Sequence, residues 1–150
     1  MTTPLELDLV LVPVDGSDES TVAIEYAIGI AEQYGAAVHA VYVLGEEMAR
    51  AIETGAVEED EIATETEAFT DNVAEMAESS DVEVATSTAY GFSTNVKTRH
   101  PGSVVLDTAE ELDADFIVVP REPVSGDPGE VLEKAAEYVL LYASQPVLSV

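Results

Sequence analysis

The chain is predicted to be an α/β protein whose parallel sheet is covered by helices on both faces, and three observations predict it. Short apolar runs such as Leu9-Val10-Leu11-Val12 and Phe116-Ile117-Val118-Val119 read as buried strands. Between them lie longer segments whose apolar residues recur at helical spacing, so strands and helices alternate along the chain in the order β-α-β-α-β-α-β-α-β. Finally, 150 residues at 47% hydrophobic content form one domain, residues 1–150, with enough apolar surface to bury a core.

The first strand is predicted over Leu9–Val14. Ser17 then suits an N-cap, with Asp18 and Glu19 in the first turn complementing the helix dipole. Ala23, Ala27, Ile30, Ala31 and Tyr34 form the apolar stripe of that helix, and Gly35 ends it. A second strand spans Ala37–Val43, followed by an acidic stretch in which Met48, Ala51 and Ile52 mark a short helix bounded by Gly45 and Gly55. The next helix is placed at Ile62–Ser79, with Phe69, Val73 and Met76 inward, and the third strand at Val82–Tyr90. Pro101 suits the first turn of a helix running through Val105, Ala109 and Leu112. After the fourth strand, Leu132, Ala135, Ala136, Val139, Leu140 and Ala143 give a last helical stripe, and Pro146–Val150 a final short strand.

These residues, in this order, resemble the universal stress protein family. Leu9 to Ser17 is similar to its opening strand and P-x-D-G/F-S turn, here Pro13-Val14-Asp15-Gly16-Ser17. Ala114-Asp115-Phe116-Ile117-Val118 is similar to its A-D-x-I-V fourth strand. The resemblance implies a doubly wound five-stranded sheet of order 3-2-1-4-5, of the adenine-nucleotide alpha-hydrolase-like type, which is compatible with right-handed crossovers. The family also carries a Gly-x2-Gly-x9-Gly-Ser/Thr loop that wraps ATP phosphates. Counted back from Pro146, the matching positions are Pro120, Pro123, Glu133 and Lys134, with the spacing kept and the residues changed. Such loops work through backbone N–H groups and close backbone approach. Proline removes a donor and fixes φ, and the Glu133 carboxylate repels phosphate. The expectation is therefore a non-enzymatic stress-response protein that has lost the phosphate loop and needs no cofactor.

In the family the residue matching Asp15 contacts adenine, and the strand segment near Val43 offers backbone groups to the base. The alternative for Asp15 and Ser17 is an Asx-type turn that caps the first helix. Arg121 and Lys134 fall in the altered loop, where they either bind an anion directly or pair with Glu122, Glu130 or Glu133. A second functional reading accordingly keeps ATP or AMP as ligand, held by Asp15, Val43, Arg121 and Lys134, with Gly126-Asp127-Pro128-Gly129 as a substitute loop. That substitute leaves only Glu130, Val131 and Leu132 before Glu133, which does not restore the family's spacing. A phosphoacceptor receiver domain shares the alternation but would need an aspartate ending the third strand, where Tyr90-Gly91 stands.

Composition excludes several classes. With no cysteine there is no disulfide, thiol catalysis or Cys-based zinc site. His39 and His100 have neither metal-ligand nor triad spacing, so no metal or catalytic residue is expected. No apolar run approaches the ~20 residues of a membrane span, and no basic-then-apolar leader opens the chain, which points to the cytoplasm. Thirty-one acids against five bases give a net charge of −26, with no basic patch for nucleic acid. The acids are dispersed and lysine is almost absent (Lys97 and Lys134), as in proteins of the salt-loaded cytoplasm of haloarchaea. In the resembling family the last strand pairs with its twin across a two-fold axis. Pro146, Val147, Leu148, Ser149 and Val150 present an apolar edge suited to the same homodimer.

Overall fold

The structure, a computed structural model, describes residues 6–15, 18–44, 54–55, 59–90, 101–120 and 138–150. Its elements are β1 (Leu9–Val14), α1 (Asp18–Tyr34), β2 (Ala37–Leu44), α2 (Glu59–Glu78), β3 (Val84–Tyr90), α3 (Pro101–Glu111), β4 (Phe116–Val119) and β5 (Val147–Ser149). Residues 138–142 are helical and lead into β5. The strands form one parallel sheet of order β3-β2-β1-β4-β5.

Strand alternation divides the core in two, as the pleat requires. On one face Val10, Val12, Val14, Val38, Ala40 and Val118 meet Ala23, Ile24, Ala27, Ile28 and Ala31 of α1 and Val73 and Ala77 of α2. On the other, Leu11, Val41, Val43, Ile117 and Val119 meet Val105 and Ala109 of α3 and Val139. Helices thus cover both faces, and the predicted fold class and strand order hold.

The stripe on α1 is rotated from the predicted one. Ser20, Ala23, Ile24, Ala27, Ile28 and Ala31 are buried, whereas Tyr34 is 48% exposed. Tyr34 is the last helical residue, and the chain turns away at Gly35, whose φ of 68° closes the helix with Ala36 N–H donating to Ala31 C=O at 2.9 Å. α3 ends the same way with a non-glycine. Asp113 takes φ 54°, and Ala114 N–H donates to Ala109 C=O at 2.9 Å, so Leu112 lies in the turn and is exposed rather than inward. Leu140, also expected inward, is 53% exposed beside exposed Leu141 and Tyr142. β3 begins at Val84, two residues later than predicted, and α2 three residues earlier. β5 is shorter than the predicted strand, although Pro146 C=O still accepts from Ile117 N–H and Val150 N–H donates to Val119 C=O. The short helix around Met48 lies outside the described residues.

At the amino end of the sheet one carboxylate fastens the starts of two strands, β1 and β4. Asp115 Oδ2 accepts from Asp8 N–H at 2.8 Å and Leu9 N–H at 3.1 Å, while Asp115 N–H donates to Leu9 C=O. Gln145 Nε2 donates to Ala114 C=O at 3.1 Å, which ties the approach to β5 to the same corner.

Candidate functional site

In an open parallel sheet the crevice forms at the carboxyl end, where the strand order reverses. Here that point lies between β1, whose helix α1 covers one face, and β4, which leads to the opposite face. Asp15 leaves β1 there and Pro120 leaves β4, and Pro120 is buried.

Asp15 is held from three directions. Its N–H donates to Ser20 Oγ at 2.9 Å, and Ser20 Oγ donates back to Asp15 Oδ1 at 2.7 Å. The Tyr42 hydroxyl donates to Asp15 C=O at 3.0 Å. Tyr42 in turn meets Phe69 of α2 edge to face, with ring centroids 5.8 Å apart. Ser20 is fully buried on the inner stripe of α1, so its hydroxyl requires these partners. One oxygen of the carboxylate is thereby bound to a side chain in the first turn of α1, whereas the capping alternative for Asp15 and Ser17 called for bonds to the helix backbone. Ser17 lies outside the described residues. Neither Ser20 nor Tyr42 stands out in the sequence as a site residue. The available signal was a hydroxyl three residues before Ala23, on the apolar stripe.

Val43 is buried through its side chain in the second core. Ala37 N–H donates to Asp8 C=O, so by alternation the backbone groups of Val43 also face β1. The register pair of Val14 with Tyr42 takes the Val43 N–H into the ladder, so of its backbone groups the C=O points on toward the crevice beside Asp15. Of the phosphate-loop positions only Pro120 is described; Arg121, Pro123, Glu133, Lys134 and the Gly126–Gly129 segment lie outside the described residues. Among the described residues no group of three metal-ligating side chains comes together.

His39 sits away from this crevice, half-buried on β2, with Nε2 2.8 Å from Ser87 Oγ of β3. Burial strips water from its ring and lowers its pKa below 6.5. A folded-state pKa below the unfolded one means the neutral ring is favoured by folding. That contribution is complete above 6.5 and is lost as pH falls through the lowered value. The urea midpoint is therefore expected to drop between about pH 7 and about pH 5 by more in the parent than in His39→Gln. Equal drops would show that His39 does not sense the fold.

Three comparisons bear on this geometry. A model of the universal stress protein family matches residues 7–150. Universal stress protein MJ0531 of Methanocaldococcus jannaschii is 30% identical over 146 residues, which is 94% of this chain and 80% of that protein. Universal stress protein UspA from Lactobacillus plantarum superposes with a TM-score of 0.72 at 22% identity, covering 97% of this chain and 99% of that one. The universal stress protein from Archaeoglobus fulgidus in complex with dAMP gives a TM-score of 0.62 at 20% identity, covering 95% and 96%. Below 25% identity these structures share the fold with this chain.

Proposed function

The chain belongs to the universal stress protein family, and on that premise we propose that it is a non-enzymatic stress-response protein that has lost the family's ATP loop. The observation that carries this reading is Pro120. It stands buried at the exit of β4, at the first glycine position of the loop, where it supplies no N–H and cannot adopt glycine's dihedrals. Pro123 and Glu133 extend the same change in sequence. Asp15 supports the reading as well, because Ser20 already holds its Oδ1.

A second reading, with ATP or AMP bound by Asp15, Val43, Arg121 and Lys134, is favoured by the Val43 C=O pointing to the crevice. It is also favoured by where the cations fall in the sequence. Arg50 follows β2, Lys97 and Arg99 follow β3, and Arg121 and Lys134 follow β4, so all five bases lie after carboxyl ends of strands. The universal stress protein from Archaeoglobus fulgidus, similar in fold, is solved in complex with dAMP.

Calorimetry with ATP and AMP in multimolar KCl separates the two. No ATP affinity tighter than about millimolar is expected. Micromolar binding, or ATP carried through purification, would overturn the favoured reading. Restoring the loop with Pro120→Gly, Pro123→Gly, Glu133→Gly and Lys134→Ser should then raise affinity, provided the Asp15 and Val43 half of the pocket is competent.

The reading places the protein in a salt-rich cytoplasm such as that of haloarchaea, working as a homodimer through β5, with neither nucleic acid nor membrane as partner. The −26 charge supports the first and third parts. Among the described residues no helix is long and apolar enough to cross a membrane.

A further inference from the structure

β3 forms the other margin of the sheet, and its own residues supply neither a charge, a proline nor a bulge to protect it. Its residues, Val84-Ala85-Thr86-Ser87-Thr88-Ala89-Tyr90, include no charge, proline or glycine. Its register with β2 advances one for one from Val38↔Val84 to Leu44↔Tyr90, so there is no bulge. Ala85, Thr86 and Ser87 are exposed. A chain with 31 acids has kept every one of them off this strand.

The backbone phase of the strand is fixed. Val38 N–H donates to Glu83 C=O, so Glu83, Ala85, Ser87 and Ala89 direct their backbone groups toward β2. Val84, Thr86, Thr88 and Tyr90 direct theirs outward, and no strand among the described residues lies beyond them. The sequence from Ala85 to Ala89 reads the same in both directions about Ser87.

We propose that β3 is a self-association edge that pairs antiparallel with β3 of a second copy, about a two-fold axis at Ser87. In that register Thr86 lies opposite Thr88 of the second copy and Val84 opposite Tyr90. Both pairs fall on outward-facing positions, so every outward N–H and C=O of the strand gains a partner. Ser87 faces Ser87 in a non-hydrogen-bonded pair, and His39 holds each serine hydroxyl on its own sheet. The contact is neutral while the rest of the surface is acidic, so salt strengthens it by screening the flanks.

The absence of cysteine provides the test. Non-hydrogen-bonded antiparallel pairs bring Cα atoms to about 4.5 Å, within the ~4.4–6.8 Å a disulfide spans. Under mild oxidant in multimolar KCl, Ser87→Cys is expected to form a covalent dimer at least about tenfold faster than Ala85→Cys, whose copies are about 13 Å out of register along the strand. Mixing Ala85→Cys with Ala89→Cys should produce the mixed dimer. Adding Thr86→Pro to Ser87→Cys removes only an outward N–H and should abolish the acceleration without changing the circular dichroism. Equal rates for Ser87→Cys and Ala85→Cys, or cross-linking that survives Thr86→Pro, overturn the proposal. So does a Ser87→Cys protein that stays monomeric because a foreign strand occupies the edge.

Discussion

Dialysed from multimolar KCl to about 0.1 M, the protein loses α2 first and its sheet afterwards, because the Debye length grows from about 3 Å or less to about 10 Å. On α2, Glu67, Asp71, Glu75 and Glu78 are exposed at spacings of three and four residues. Like charges at such spacing cost about 0.2–0.5 kcal/mol each when unscreened. No lysine or arginine occurs among the described residues, so the wider field of the −26 charge adds to this. Each kcal/mol lost lowers the melting temperature of a domain this size by roughly 2–4 °C. Circular dichroism during dialysis is the measurement. A melting temperature that stays flat across this range would remove the salt-adaptation account of the charge.

In multimolar KCl light scattering of Thr86→Pro, whose β3 edge cannot pair, is expected to report twice 15.9 kDa, from β5 pairing with its twin. β5 has β4 on one side and no strand among the described residues on the other. Ile117 N–H reaches Pro146 C=O and Val150 N–H reaches Val119 C=O, so by alternation Val147 and Ser149 direct their backbone groups outward. Leu141 and Tyr142, 75% and 65% exposed, stand just before this strand and enlarge the apolar surface a partner would cover. Truncating the strand is a poor test, since Val147 packs on one core and Leu148 and Val150 on the other. Ser149→Pro is the sharper variant: it removes an outward donor, spares the ladder with β4, and added to Thr86→Pro should return the mass to that of a monomer. A dimer that survives Ser149→Pro but dissociates with Thr86→Pro would move the interface to β3.

Periodicity made the strands legible because buried parallel strands are continuous apolar runs, and β4 was readable to the residue. Helix ends followed Gly35 and Pro101, whose backbone constraints are local. The inner face of α1 was harder. Ser20 occupies an apolar position because Asp15 both donates to and accepts from its hydroxyl, which no periodicity reveals. Asp113 could end α3 in a left-handed conformation because an aspartate tolerates it, whereas sequence reading looks first for glycine. A nucleotide-binding role for Asp15 and Val43 was suggested only by family resemblance, since aligned N–H donors leave no signature beyond the glycines that permit them.

Asp115 and Gln145 secure the amino end of the sheet, at the opposite pole from the carboxyl ends of β2, β3 and β4. A lineage built on such a frame can rewrite its loops without first acquiring compensating mutations in the core. Substitutions at Pro120 or beyond would then be tolerated one at a time, and a receptor could drift into a scaffold, or back again, through intermediates that all remain folded.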